Sequence, residues 1–286
     1  MSTASVDPAN YCYRHPDRQS FVLCQRCGRT ICPECQTQAA VGVHCPECVR
    51  EARQDGPRQR QRPAVVTSMR QAGASGAPVV TWSIIGLTVL VYILQWATSG
   101  AATQYLLFYA DFVPSQPWRM LTPALVHSTS SIFHILFNMY SLFVFGPVLE
   151  RMLGRWRFLV LYLLADFGGQ IAVLFIAPGT PVIGASGAIF GLLGAFFVIQ
   201  RRLGGNNLQL IIVIVINLAI GFIVPGIAWQ AHVGGLVAGA LVAFVFLMTR
   251  ERRKRQLQVL LIVAVAVVFV LLTVLGLALV FARAGT

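Results

Sequence analysis

Four polar residues stand inside long apolar stretches of this sequence: His134, Asn138, Ser186 and His232. Polar groups at such positions are costly and usually mark function. A serine hydroxyl becomes a useful nucleophile when an adjacent imidazole takes its proton. Imidazole and carboxamide N–H groups can stabilise the oxyanion that forms when a carbonyl is attacked. These residue types are therefore the ones that acyl transfer by a Ser–His dyad requires.

Ser186 lies in a GASG motif (184–187), where an extended segment leads into a predicted helix. The first amides of a helix lack intrahelical partners and can donate to an anion. His232 shares a helical face with Gly235 and Gly239, because their spacing is i, i+3, i+7. These glycines predict close packing of the histidine helix against the serine helix. The matching small residues on the serine helix are Gly187, Gly191 and Gly194.

His134 and Asn138 are one helical turn apart and share a face. Both can donate hydrogen bonds to an oxyanion, and a hydrogen bond that joins two helices is the alternative. Phe190 is one turn after Ser186 and can pack on the ring of His232. We expect it to orient the imidazole, because no acidic residue lies near His232 in the sequence. An ordinary core or lipid-facing aromatic is the alternative for Phe190.

The composition places these residues in a membrane. Of 286 residues, 56% are hydrophobic and 11% are charged, against about 25% charged in an average soluble domain. The mean hydropathy is +0.70. The net charge of the whole chain is +12. Charged residues are sparse after residue 78, where 12 basic and 4 acidic residues remain. These values exclude an ordinary soluble enzyme and predict an all-α polytopic membrane protein with a soluble head.

Seven apolar stretches have nearly the length of about 20 residues that a bilayer crossing needs. They span 79–97, 132–149, 158–177, 182–200, 208–224, 227–248 and 257–281. We predict four parts in the chain: a metal-binding head at 1–49, a flexible basic linker at 50–78, a membrane core at 79–248, and a basic loop with a seventh helix at 249–286. The arginines of the linker suit lipid headgroups, and no nucleic-acid partner is expected, since no aromatic stacking platform accompanies them.

The basic residues between the stretches predict the orientation of the chain. They concentrate in alternate loops: Arg151, Arg155, Arg157, Arg201, Arg202, Arg250, Arg252, Arg253, Lys254 and Arg255. The opposite loops carry Arg119 alone. The positive-inside rule then places the basic loops and the head in the cytoplasm and Thr286 outside.

The seven cysteines all lie in the head. Together with His15 they form four pairs, and two residues separate the members of each pair. The ligand-like residues are Cys12, His15, Cys24, Cys27, Cys32, Cys35, Cys45 and Cys48. Eight ligands predict two structural tetrahedral Zn²⁺ sites, with His44 as an alternative to Cys45. The head is too short and too poor in aliphatic residues to fold without such a metal.

Residues 79–248 resemble the rhomboid intramembrane serine proteases. The resemblance rests on ordered motifs: Trp118-Arg119, His134 to Asn138 (HILFN), Gly146, Glu150, Gly154, Gly184 to Gly187 (GASG) and Ala231 to Gly235 (AHVGG). It implies a six-helix core, to which this chain adds a seventh helix. It also implies Ser186 as nucleophile, His232 as general base, an oxyanion site at His134, Asn138 and the Ser186 amide, and an aromatic stacked on the histidine at Phe190.

The resemblance further implies an enzyme that needs no cofactor for catalysis and cleaves single-pass membrane proteins near the outer end of their span. It implies a multi-pass protein of a bacterial plasma membrane. A catalytically inactive, client-binding relative is the alternative, although Ser186 and His232 are both present. A transporter would place polar residues at the midplane of internal repeats, and neither feature is found in the sequence.

The head resembles B-box zinc domains, whose ligand pairs interleave. This resemblance implies one zinc at Cys12, His15, Cys32 and Cys35, and a second at the other four cysteines. Sequential pairing is the alternative. A cytoplasmic protein partner of the head is an expectation from this class of domain alone.

Four further residues are expected to be structural. Trp118 and Arg119 are interpreted as anchors of the long first loop. Glu150 is predicted to form an ion pair at a helix end. Asp166, inside the third stretch, is expected to make a buried structural contact with Gln170 one turn later, and a proton relay is the alternative.

Overall fold

The computed structural model describes residues 8–39, 42–55 and 77–284 of the chain. The chain divides into two compact units, Met1–Arg62 and Pro63–Thr286. The predicted domain boundaries at residues 49, 78 and 248 stay predictions. The structure differs from the predicted linker at its beginning. A helix at Pro46–Asp55 continues past residue 49, so residues 50–55 of the predicted linker are helical. The remainder of that linker, up to residue 76, lies outside the described residues.

The N-terminal unit is built from two small antiparallel hairpins and a helix. Its elements are β1 (Tyr11–Cys12), β2 (His15–Gln19), β3 (Thr37–Gln38), β4 (Val43–His44) and α1 (Pro46–Asp55). β1 pairs with β2, and β3 pairs with β4. Its buried apolar cluster consists of six cysteines and Ile31. With a single aliphatic residue fully inside, the described part of the unit lacks a hydrophobic core of ordinary size.

The second unit confirms an all-α membrane fold. Its long helices are α2 (Val79–Ala97), α3 (Ile132–Leu153), α4 (Arg155–Ile176), α5 (Ser186–Arg202), α6 (Leu208–Ile223), α7 (Trp229–Met248) and α8 (Arg255–Ala284). Five helices, α2, α3, α4, α7 and α8, are long and apolar enough to cross a membrane. The other two, α5 with 17 residues and α6 with 16, are shorter. α5 begins at Ser186 rather than at 182, because the preceding residues are extended or turn-like.

α5 and α7 pack backbone against backbone, as the glycine spacing predicts. A Cβ atom added at Gly235 would overlap the carbonyl oxygen of Gly187, and one at Gly239 would overlap the backbone of Gly191. α4 approaches α7 in the same way, since a Cβ at Gly234 would collide with the Gly168 carbonyl. Small residues at these crossings therefore set the distance between the helices.

Glu150, near the end of α3, caps the beginning of α2. Its carboxylate accepts hydrogen bonds from the backbone N–H groups of Val80 and Thr81, at 2.9 and 2.7 Å, and from the Thr81 hydroxyl at 2.7 Å. The first amides of a helix have no intrahelical partner, and a carboxylate satisfies them and the helix dipole together. The predicted ion pair is wrong: within the described residues Glu150 caps a helix, and no salt bridge to it is found.

The long connection between α2 and α3 folds into short helical turns around Arg119. This side chain is 3% exposed and donates to Gln116 Oε1 and to the carbonyls of Gln104 and Leu107 at 2.6–2.7 Å. The indole N–H of Trp118 donates to the Tyr105 carbonyl at 3.3 Å. Both residues therefore stabilise the loop, as the sequence predicts.

The seventh helix is attached to the core by contacts with α4. Gly276 of α8 lies against Leu174, and the rings of Phe269 and Phe167 are 5.9 Å apart. At its start, Gln258 accepts from Arg157 Nε at 2.8 Å and donates to Thr249 at the end of α7. These contacts join α8 to α4 and to the end of α7.

Candidate functional site

Ser186 and His232, which are 46 positions apart in the sequence, meet at the start of α5 and α7. The distance between His232 Nε2 and Ser186 Oγ is 2.8 Å, a hydrogen bond. Ser186 is the first residue of α5, and His232 is in the first turn of α7. The close approach of the two glycine-lined helices brings these ends together. An imidazole at this distance can take the proton of the hydroxyl.

The ring of Phe190 lies on the ring of His232. Their centroids are 4.4 Å apart and the planes differ by 13°. His232 is 7% exposed, and its Nδ1 has no hydrogen-bond partner among the described residues. Within that part of the chain no carboxylate orients the imidazole. The orientation of His232 therefore depends on aromatic stacking and on the hydroxyl of Ser186.

The turn before Ser186 is fixed by hydrogen bonds to the long loop that connects α2 and α3. Gly184 has φ +112°, a conformation that L side chains rarely adopt. Its N–H donates to the Pro123 carbonyl at 2.9 Å. Val182 and Phe108 exchange two backbone hydrogen bonds at 3.0 Å. Ser186 thus follows a turn that two other backbone segments hold in place.

His134 and Asn138 lie on α3 near this turn. The backbone N–H of Ser128 donates to His134 Nδ1 at 3.2 Å, so in the neutral ring the proton is on Nε2. A Cβ added at Gly184 would lie 2.5 Å from that Nε2. Asn138 Nδ2 donates to the His134 carbonyl at 2.7 Å, which leaves its second N–H for another acceptor.

His127 is a buried part of this site that our sequence reasoning missed. It is 0% exposed. The N–H of Ala185 donates to its Nε2 at 3.4 Å, and its ring centroid is 5.0 Å from that of His134. The residue lies in the long loop, outside every apolar stretch, so polarity in an apolar context did not mark it. The available signal was a second histidine seven residues before His134.

Asp166 is a residue of α4 and lies beside the first turn of α5. Its Oδ1 accepts from Gln170 Nε2 at 3.3 Å, the contact that the sequence predicts. The same oxygen is 3.8 Å from where a Cβ of Gly187 would be. Asp166 Oδ2 and Gln170 Oε1 have no hydrogen-bond partner among the described residues. The pair is therefore a buried polar contact beside the serine helix.

In the N-terminal unit the eight ligand-like residues form two groups. One comprises Cys12, His15, Cys32 and Cys35, and the other Cys24, Cys27, Cys45 and Cys48. Within each group the ligand atoms lie within 4.8 Å of one another. These are the interleaved sets rather than the sequential ones. Cys45, not His44, contributes the ligand atom of the second group.

The spacing inside the groups fits a tetrahedral zinc ion. Zinc–ligand distances of about 2.3 Å for sulfur and about 2.0 Å for nitrogen give tetrahedral edges of about 3.8 Å for S···S and about 3.5 Å for S···N. Cys32 Sγ and Cys35 Sγ are each 3.4 Å from His15 Nδ1, and Cys12 Sγ is 3.8 Å from it. Cys27 Sγ and Cys45 Sγ are 3.7 Å apart.

Backbone hydrogen bonds favour the thiolate form of one cysteine in each group, Cys12 and Cys24, whereas burial and neighbouring thiols raise the pKa of Cys35 to about 11 and also raise that of Cys48. Burial raises the pKa of the Cys12 thiol, but hydrogen bonds from the Cys32 and Arg14 backbone outweigh it and lower that pKa to about 6. Burial likewise raises the pKa of Cys24, and backbone hydrogen bonds from Cys45 and Cys27 lower it to about 6. The thiolate is the form that binds metal.

Comparisons with known proteins cover mainly the membrane unit. Residues 114–249 match the Rhomboid domain. GluP, a rhomboid protease of Bacillus subtilis, is 36% identical over 183 residues, which are 59% of this chain and 35% of GluP. The chain thus spans about a third of the length of that relative, 35%.

Two shorter relatives are covered more completely. The rhomboid protease GlpG of Haemophilus influenzae is 29% identical over 176 residues, which are 58% of this chain and 90% of GlpG. YdcA of Bacillus subtilis, named provisionally as a rhomboid protease, is 39% identical over 140 residues, which are 47% of this chain and 69% of YdcA. Since the likeness extends over more than two thirds of a relative at 39% identity, the chain belongs to the rhomboid family.

Proposed function

We propose that the protein is an intramembrane serine endopeptidase that works through a Ser186–His232 dyad. The single observation that carries this proposal is the 2.8 Å hydrogen bond between His232 Nε2 and Ser186 Oγ. Membership of a family whose relatives bear protease names supports it. A catalytically inactive, client-binding protein is the alternative, and the intact hydrogen bond between the two residues favours the enzyme.

The reaction follows from the positions of the side chains. His232 Nε2 takes the proton as Ser186 Oγ attacks the substrate carbonyl carbon, and the protonated imidazole then gives that proton to the leaving amine. The oxyanion is stabilised by the Ser186 N–H, the Nε2–H of His134 and the free N–H of Asn138. Water, activated by the same imidazole, then hydrolyses the acyl-enzyme. Phe190 holds the ring in place through both steps.

The substrates we propose are single-pass membrane proteins, cut near the outer end of their span beside a small residue. A bilayer-embedded site meets its substrate within the lipid. We also propose a plasma-membrane location, and the basic loops support an orientation with the N-terminus in the cytoplasm and the C-terminus outside.

Co-expression with tagged single-pass proteins tests this proposal. Ser186→Ala and His232→Ala are each expected to abolish cleavage, because each removes half of one proton-transfer unit. Ser83→Ala is the matched control, since Ser83 is an exposed serine on α2. If Ser186→Ala and His232→Ala both cleave at the wild-type rate, the peptidase proposal fails.

We further propose that the head holds two structural Zn²⁺ ions, at the two groups of four ligands. Each group fills four coordination positions and leaves none for a substrate, as in structural rather than catalytic zinc sites. The ions would hold together a unit that has almost no aliphatic core. A cytoplasmic partner of the head is part of this proposal by class of domain only.

Elemental analysis of the purified full-length protein tests the metal proposal. We expect two zinc ions per chain, and loss of at least one ion after Cys32→Ser. His44→Ala is the matched control and should keep both ions, because the ligand atom comes from Cys45. One ion per wild-type chain, or none with disulfides present, would contradict the two-site assignment.

A further inference from the structure

The contact between His127 and Ala185 has no place in the proton transfers described above. Ala185 precedes the nucleophile, and its N–H donates to His127 Nε2 at 3.4 Å. Both residues are 0% exposed. A histidine that accepts a backbone N–H at Nε2 carries its proton on Nδ1 when neutral. His127 therefore meets the serine turn as an acceptor, at Nε2.

His127 is itself held by a side chain of α2. Gln95 Oε1 accepts the backbone N–H of His127 at 3.0 Å, and Gln95 Nε2 donates to the His127 carbonyl at 2.7 Å. The same amide nitrogen donates to Thr103 Oγ1 at 2.7 Å. Gln95 is 1% exposed. Gln95 thus fixes both the N–H and the carbonyl of His127. The imidazole ring extends from this fixed backbone to Ala185.

The orientation of the Ala185 peptide controls the groups that react. Ala185 has φ −72° and ψ 0°, so a fixed Ala185 N–H also fixes the next peptide, which carries the Ser186 N–H. That N–H is an oxyanion donor in the proposed reaction, and Oγ is attached to the same residue. A small rotation of the turn would move both relative to His232 and His134. Misplacement by about 1 Å can lower a rate about 10²-fold.

We propose that His127 is a positioning residue, which holds the 184–186 turn so that the Ser186 N–H and Oγ face the substrate carbonyl. This inference rests on the proposed peptidase function. It predicts that His127 affects kcat rather than KM, because it contacts the turn and not the substrate. It also predicts that any side chain with an acceptor at the place of Nε2 restores the effect, whereas an apolar ring of similar size does not.

His127→Phe and His127→Gln separate positioning from packing. Phenylalanine fills the space without an acceptor, and glutamine places its Oε1 near the position of Nε2. For cleavage in detergent we expect His127→Phe to lower kcat about 10²-fold with KM within about twofold. His127→Gln should recover at least about tenfold of that loss. Hydrogen exchange of the peptide that contains Ala185 should be faster in His127→Phe than in wild type.

A second variant covers the case in which His127→Phe does not fold, as judged by thermal unfolding in detergent. Gln95→Leu removes the hydrogen bonds to the His127 backbone and leaves the imidazole in place. It should lower kcat about tenfold and speed exchange at Ala185. Wild-type kcat in a folded His127→Phe or Gln95→Leu protein, or no recovery in His127→Gln, overturns the positioning role. A wild-type chain that cleaves nothing overturns the peptidase proposal instead.

Discussion

At the scale of single residues, the proposed site combines one proton-transfer pair with several donors of unequal importance. In this proposal Ser186 and His232 form a single unit, so the other groups present cannot replace either of them. Phe190, which is stacked on the face of the His232 ring, would orient the imidazole, as the carboxylate at Nδ1 does in a Ser–His–Asp triad. Aromatic stacking contributes about 0.5–1.5 kcal/mol, which is enough to orient a ring. The oxyanion donors differ from the dyad, because several of them share one task.

Asn138→Ala is expected to reduce cleavage without abolishing it. The Ser186 N–H and His134 remain as donors, and removal of one donor typically lowers kcat about 10²–10³-fold. The measurement is kcat in detergent for a substrate that the wild type cleaves. Asn217→Ala is the matched control, because Asn217 makes the same hydrogen bond to its own helix, to the Val213 carbonyl at 2.8 Å, at an exposed position. Full activity in Asn138→Ala would remove Asn138 from the oxyanion site.

At the scale of helices, the dyad depends on how closely α5 and α7 approach. The glycines at the crossing leave no room for a methyl group, since Gly235 and Gly239 each meet a backbone atom of the facing helix. The distance between Ser186 and His232 is consequently set by residues that are one or two turns away. In this respect the glycines act on the site without touching it.

Gly239→Ala should destabilise the membrane unit and lower activity. The added Cβ would overlap the backbone of Gly191, and overpacking of this kind costs about 1–3 kcal/mol. Thermal unfolding in detergent is the measurement, with kcat beside it. Gly86→Ala provides the control, because a Cβ at Gly86 has nothing within 4 Å. Equal unfolding temperatures for the two variants would show that the helices can separate at no cost.

At the scale of the whole molecule, the chain consists of two units with different sources of stability. The membrane unit has extensive helix packing and contains every residue of the proposed dyad and oxyanion site. The N-terminal unit has cysteines where a core would be, and its stability in our proposal comes from metal. We therefore expect that the proposed chemistry does not require the head.

A chain of residues 71–286 should still cleave a substrate in detergent. Each residue with a role in the proposed reaction lies between His127 and His232, inside the second compact unit. The comparison is with the full-length protein at equal concentration, after both are shown to be folded by thermal unfolding. Inactivity of a well-folded truncated protein would mean that the head takes part in the reaction or in substrate binding.

Much of this architecture follows from local properties of the sequence. Hydropathy over about 20 residues identifies the membrane helices, and i, i+3, i+7 glycines identify the face of α7 that packs on α5. The candidate functional residues can be identified in the same way, because a hydroxyl or imidazole group inside an apolar stretch is energetically costly and usually marks a function. Paired cysteines indicate metal for an equally local reason, since two ligands at that spacing can bind one ion.

Only the tertiary structure shows which distant segments of the chain are in contact, because local sequence patterns carry no information about these contacts. The path of the long loop brings His127 to Ala185, and neither residue lies in a periodic pattern. The arrangement of α2 beside α3 makes Glu150 a helix cap instead of half of an ion pair. The path of the chain in the head groups the cysteines as interleaved sets and selects Cys45 over His44. The physical reason is common to all three: a hydrogen bond or ligand bond depends on distances of a few ångströms between segments, and these distances are set by packing rather than by neighbours in the sequence.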